Sequence, residues 1–235
     1  MGGVALLLTL SRGGWVAFAA AFCVLLTLSF AHPRLRRRFL FTRVLMIAAV
    51  VVGGMAFSGP IMKRLTQSDP GAVNFRYEWN GVAWKMIKDK PILGFGLNSF
   101  VFNMAPYTVY GTPGRLTEKF GSNWPVVHNV YLLVWAEQGT VGFAFYLGLQ
   151  FYLLYVGFRN LRIFKNEILF SINLGAIAGF VAVTLDGLAS FYVRNPGCDR
   201  VYWVVAGLII AVDFWNRQHA NAPSLPANLP LEQRA

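Results

Sequence analysis

Val127-His128-Asn129-Val130-Tyr131-Leu132-Leu133-Val134-Trp135-Ala136-Glu137-Gln138-Gly139-Thr140-Val141-Gly142 is the stretch on which the reading of this chain turns. It opens a largely apolar segment, so its histidine sits where water ends and membrane begins. The two other histidines lie in a basic turn (His32) and in the C-terminal tail (His219). An imidazole at a membrane boundary can exchange a proton near neutral pH. It can also simply cap a helix, although histidine is a weak cap. Residues 127–138 read as a short helix at the membrane boundary, broken by Gly139 and followed by a span over Thr140–Phe158. One long helix over 127–158 is the alternative.

Downstream, Arg159-Asn160-Leu161-Arg162-Ile163-Phe164-Lys165 is a short basic turn, which places it in the cytoplasm. Ile168–Leu188 spans outward with Asp186 near its outer end, and an acid at such a depth is a candidate for function or for pairing. Tyr192–Arg200 reads as an outer turn and Val201–Trp215 as a short inward span. Residues 216–235 read as a disordered cytoplasmic tail.

Upstream, Val4–Leu10 is apolar but too short to span, since a crossing takes about 20 apolar residues. Arg12 then precedes a span over Trp15–Ala31 and so marks a membrane edge. His32-Pro33-Arg34-Leu35-Arg36-Arg37-Arg38 is a second cytoplasmic turn. Phe39–Ser58 crosses back, with Gly53-Gly54 suited to close helix packing. Residues 59–126 form the one long non-membrane loop. Within it, Asn74–Lys90 has helical periodicity, with Phe75, Trp79, Val82, Ala83, Met86 and Ile87 on one face. Asn74 is the expected N-cap and Pro91 the stop. Gly94-Phe95-Gly96-Leu97-Asn98-Ser99-Phe100 reads as a tight turn in which Asn98 or Ser99 caps the next helix. Its exposed amides could hold an anion, though an ordinary turn is the simpler reading. Residues 103–126 look irregular.

Composition agrees with a membrane protein. Of 235 residues, 56% are hydrophobic and 13% charged, against about 25% charged in soluble domains. Net charge is +11, but the basic residues lie in short turns between apolar runs, where they orient helices. No basic stripe with interleaved aromatics is present, so nucleic acid is not expected as a partner. Cys23 and Cys198 show no metal-ligand spacing and no expected pairing. The expected organisation is membrane helices over 1–58, an extracytoplasmic loop over 59–126, membrane helices over 127–215 and a tail over 216–235.

Three residues stand out by position: Arg12, Arg76 and His128. Their contexts are Thr9-Leu10-Ser11-Arg12-Gly13, then Arg76 with Trp79 and Trp84 ahead of Lys90-Pro91-Ile92-Leu93-Gly94-Phe95-Gly96-Leu97-Asn98-Ser99-Phe100, then His128-Asn129-x-Tyr131-Leu132 with Glu137-x-Gly139-x-x-Gly142. This ordered set resembles the O-antigen ligase/polymerase family of bacterial envelope glycosyltransferases. The resemblance implies an all-α, GT-C-like polytopic membrane bundle, here of about five spanning helices, with amphipathic helices in a long outer loop. It implies a multi-pass enzyme of the bacterial inner membrane whose site faces the periplasm. The enzyme would move a glycan from an undecaprenyl-diphosphate carrier to an acceptor such as lipid A–core, another lipid-linked glycan or a protein. Members carry more spanning helices, so the chain resembles the C-terminal half of one.

In that reading His128 is the catalytic base, and Arg12 and Arg76 bind the carrier diphosphate. Asn129, Tyr131, Asp186 and Arg200 are supporting residues, the last two serving at most to pair with each other. The chemistry stands without the family. Guanidinium groups suit bidentate phosphate contacts. A sugar hydroxyl attacking an anomeric carbon needs a proton acceptor near neutral pH. The acids are scattered, with no DxD-like pair, so no metal or other cofactor is expected. Polymerase or protein-glycosylating activity is the alternative within the class. A transporter of lipid-linked sugars would show repeats or Gly/Pro-broken helices in both halves, and no internal repeat is visible. A non-catalytic scaffold would tolerate loss of His128 and Arg76 together.

Overall fold

Long apolar runs have one way to satisfy their backbone in lipid, which is to coil into helices. The computed structural model describes residues 11–31, 40–66, 70–163, 167–192 and 196–220, and every regular element among them is helical. In chain order these are α1 (Arg12–Ala31), α2 (Leu40–Ala56), α3 (Ser58–Thr66), α4 (Pro70–Asp89), α5 (Phe100–Asn103), α6 (Pro113–Phe120), α7 (Val130–Ile163), α8 (Glu167–Asp186) and α9 (Pro196–Ala220). A 3-10 turn, Ala105–Tyr107, lies between α5 and α6. The chain is a polytopic helical bundle. By length and composition α1, α7 and α8 can each cross a membrane, and α2 is apolar but shorter. The fifth expected crossing, 201–215, lies within α9.

Helix α8 is the centre of the bundle and packs against α1, α7 and α9. The bundle core joins Val134, Leu153 and Val156 of α7 to Ala176 and Phe180 of α8 and Tyr202, Ala206 and Ile209 of α9. Gly157 gives the Ile177 side chain of α8 its room: a Cβ there would lie 2.8 Å from Ile177 Cγ1. At Gly54, by contrast, a Cβ would meet nothing among the described residues.

A second core is built from the loop. Trp79, Val82, Ala83, Met86 and Ile87, the face read from the α4 periodicity, are all buried with Phe100, Met104, Leu116, Val127, Leu133 and Ala136. Phe75 packs on its edge. The loop is therefore a small folded layer seated on the first turns of α7. Several sequence expectations change here. Helix α4 begins at Pro70, so Asn74 lies inside it and caps nothing; Pro is favoured at a first helical position. The stretch 103–126 is irregular only in part: α6 forms within it, since Thr112 accepts a bond from the Arg115 N–H, Pro113 follows it, and Gly121 at φ +64° closes the turn, while 108–112 and 121–126 carry no regular element. The outer turn is also shorter than expected, because 196–200 already belong to α9. That helix runs on to Ala220, into the expected tail. Residues 159–163 of the expected 159–165 turn belong to α7, while residues 4–10, the 32–38 turn, 164–165 and 221–235 lie outside the described residues.

Candidate active site at the head of the bundle

Gly139 divides α7. Its φ of +64° and ψ of −173° are not helical, so the short helix and the span are distinct, as the first of the two sequence readings has it. The short helix starts at Val130, not 127. In an unbroken helix the Ala136 and Glu137 carbonyls would accept from the Thr140 and Val141 amides. The break frees all four groups, and the 91–96 loop takes all four. Phe95 N donates to Ala136 O (3.2 Å) and Gly96 N to Glu137 O (2.7 Å). Thr140 N donates to Pro91 O (2.7 Å) and Val141 N to Ile92 O (3.3 Å). The approach is so close that a Cβ on Gly139 would lie 2.1 Å from Ile92 O, and one on Gly94 2.5 Å from Glu137 O.

Glu137 completes this lock. It is buried within an apolar helix, yet its carboxylate accepts from Phe100 N (2.8 Å) and Asn98 N (3.0 Å). The amides of the glycine turn do hold an anion, and it is the chain's own. Neither residue expected to cap α5 does so: the Ser99 hydroxyl donates back to Gly96 O (2.5 Å), and Asn98 sits at φ +59°. The signal for Glu137 was in the sequence, because an acid in an apolar segment needs a partner. The partner lies 37 residues away and no local pattern names it.

His128 stands just above the lock. It does not cap α7; Asn129 does, its Oδ1 accepting from Leu132 N at 3.1 Å. Instead His128 Nδ1 lies 2.9 Å from Val126 O. A carbonyl only accepts, so Nδ1 carries the hydrogen and neutral Nε2 presents a lone pair. The half-buried ring is held edge-on between Phe75 (6.1 Å between centroids) and Phe191 (4.7 Å). Burial pushes the imidazole below its ordinary value; the bond to Val126 opposes that, and the nearby Arg76 guanidinium adds to the lowering. Both the ring and its field therefore favour the neutral base.

The same end gathers most of the other candidates. Arg76 is exposed, next to Phe75 in α4, with no acidic partner among the described residues. Arg12 is half-buried at the start of α1. A Cβ on its neighbour Gly13 would lie 3.2 Å from Ala189 Cβ and 3.8 Å from Asp186 Oδ1, so α1 begins against the end of α8. That end of α8 also receives α7: Val130 N donates to Gly187 O (2.9 Å) and the Tyr131 hydroxyl to Thr184 O (2.7 Å). Asn129 and Tyr131 thus hold helices in place. Asp186 accepts from Ser190 Oγ at 2.7 Å and makes no ion pair with Arg200, contrary to the expected pairing. Arg200 is exposed near the start of α9.

A basic array beside a neutral histidine, at the end of a membrane bundle, matches what comparison with known sequences finds. A family profile described as O-antigen ligase matches residues 1–147. The chain belongs to the O-antigen ligase family. It is a membrane glycosyl-transfer protein of the ligase or polymerase type, and its partners in general are a lipid-linked glycan and a glycan acceptor. No curated protein matches the chain. The family match takes in Arg12, Arg76, His128 and the whole Gly94–Gly139 lock.

Proposed function

We propose that this protein transfers a glycan from an undecaprenyl-diphosphate carrier to an acceptor such as lipid A–core, at the periplasmic face of the inner membrane. The observation that carries the reading is the His128 tautomer. With Nδ1–H committed to Val126, Nε2 is the atom available to take the proton of an acceptor hydroxyl. The oxygen attacks the anomeric carbon, the bond to the diphosphate oxygen breaks, and the carrier diphosphate leaves with the bonding pair. Arg76 and Arg12 stabilise the charge that gathers on it. Arg76 serves twice in this scheme, because the charge that holds phosphate also keeps His128 neutral.

The reaction proceeds without a metal in this proposal. Two guanidinium groups carry the charge of the leaving diphosphate in place of a cation. Transfer should therefore survive EDTA when assayed with full-length protein, undecaprenyl-diphosphate-linked glycan and lipid A–core. Lysine keeps the charge and loses the fork. Losing one charge-assisted hydrogen bond costs about 1.5–3 kcal/mol, so Arg12→Lys and Arg76→Lys should each lower transfer by roughly 10–100-fold. Full activity in both variants would discard the diphosphate clamp. Loss of transfer in EDTA with rescue by Mg²⁺ would discard the metal-free step.

A further inference from the structure

The lock between the loop and Gly139 fixes a depth as well as a shape. Arg159, paired with Asp213, marks the far polar end of α7. The hydrocarbon layer is about 30 Å thick and a helix rises about 1.5 Å per residue, so a crossing counted back from Arg159 takes about 20 residues and ends at Gly139. Residues 91–96 are hydrogen-bonded to that point from both sides of the break. They are therefore held at the hydrocarbon boundary, on the same side of the membrane as His128.

Their side chains fit that position. Ile92, Leu93 and Leu97 are 66%, 75% and 77% exposed, although each is a large aliphatic residue in a rigidly tied turn. The lipid-facing surface of the span continues directly from them through Val141 (46%) and Phe145 (78%). Trp84 and Trp135 pack edge to face at 5.3 Å beside the same break, and the Trp135 Nε1 donates to Thr140 Oγ1 at 3.1 Å. Tryptophan gathers at this level of a membrane, where one side of the ring is apolar and the N–H is satisfied. Lys88 and Lys90 are exposed on the adjoining helix end, where long cationic side chains can reach headgroups from an apolar surface.

We propose that the Ile92-Leu93 turn, with Leu97, is a membrane-inserted foot: it dips into the acyl chains of the leaflet on the His128 side and anchors the loop layer at the lipid surface. This does not depend on which glycan is transferred. It gives the loop a fixed height from which Arg76 and His128 meet a lipid-borne substrate at headgroup depth.

The test uses the full chain in phospholipid nanodiscs, with Cys23→Ser and Cys198→Ser and one new cysteine carrying a bimane fluorophore. Ile92→Cys, Leu93→Cys and Leu97→Cys are compared with Phe145→Cys in the span and with Glu118→Cys on exposed α6. Nitroxide placed high on the acyl chain should quench the three foot positions as it quenches position 145, and should spare 118. An ion left without partners in hydrocarbon is strongly disfavoured, so aqueous iodide should quench the foot about tenfold or more below 118. Iodide quenching equal to that at 118 would overturn the proposal by showing the foot in water. Protection from both quenchers would overturn it by showing the foot covered with protein.

Discussion

The two ends of the bundle handle charge in opposite ways. At the Arg159 end the buried acid is closed on arginines. Asp213 is buried and holds both Arg159 and, at 2.9 Å, Arg217. Beside it Asn160 and Asn173 bond across α7, α8 and α9, with Asn173 Nδ2 donating to Gly157 O at 2.9 Å. At the His128 end the one buried acid, Glu137, is spent on backbone amides, while Arg76 faces outward and the lone pair of His128 Nε2 has no donor among the described residues. A closed network ties helices together. An exposed guanidinium beside an uncommitted lone pair is what a polyanionic substrate needs. The lesson is that charge count locates neither end; partnership does.

The sharpest way to break this comparison is to remove His128. His128→Ala should lower glycan transfer by about 10²–10⁴-fold, the usual cost of a positioned base, with membrane-inserted protein and its thermal midpoint unchanged. Near-normal transfer by a stably inserted His128→Ala protein would end the reading of this end as catalytic.

Gly139→Ala comes next. It places a Cβ against Ile92 O at a positive φ. The strain and the loss of loop bonds together should cost at least about 2 kcal/mol. Limited proteolysis should cut the 91–100 loop faster, while the rest of the bundle stays resistant. Unchanged protection would mean that the loop is held by its apolar core alone.

Asp213→Ala probes the other end. It strands two arginines that reach the surface, so the cost should be about 1–2 kcal/mol, less than for a fully buried pair. Thermal unfolding in detergent should show it, and activity per folded molecule should not change. A selective loss of turnover would erase the contrast between the ends.

The smallest effect is in pH. A base must be neutral to work, so transfer should be flat at high pH and fall as pH drops through the His128 pKa. Because burial and Arg76 lower that value, the acid limb should lie below 6.5. Removing the positive neighbour in Arg76→Gln should move the limb upward in the residual activity. A downward move, or none, would separate the two residues.

Much of this was legible in residue order. Helix α4 showed its buried face by periodicity, because one stripe of a 3.6-residue repeat must pack. The break at Gly139 was readable from glycine in an apolar run. Helix α6 was missed although Thr112-Pro113 is a cap followed by a favoured first residue, because glycine and proline around it read as loop. The pairing of Asp186 with Arg200, left open by the sequence, is not made. Ser190, one turn on, reaches Asp186 first.

By itself the sequence determined that the chain is helical and membrane-borne, since length, hydropathy and the period of an apolar face are local quantities. It also named Arg12, Arg76 and His128 as a set. Tertiary structure alone decided where each of them stands and what holds it there. The Glu137 bond to the glycine turn and the Thr140 bond to Pro91 join residues 37 and 49 apart, and the His128 tautomer depends on a backbone carbonyl. Such pairings are set by how the loop packs on α7, and a backbone carbonyl or amide is the same group in every residue, so no pattern of side chains could announce them.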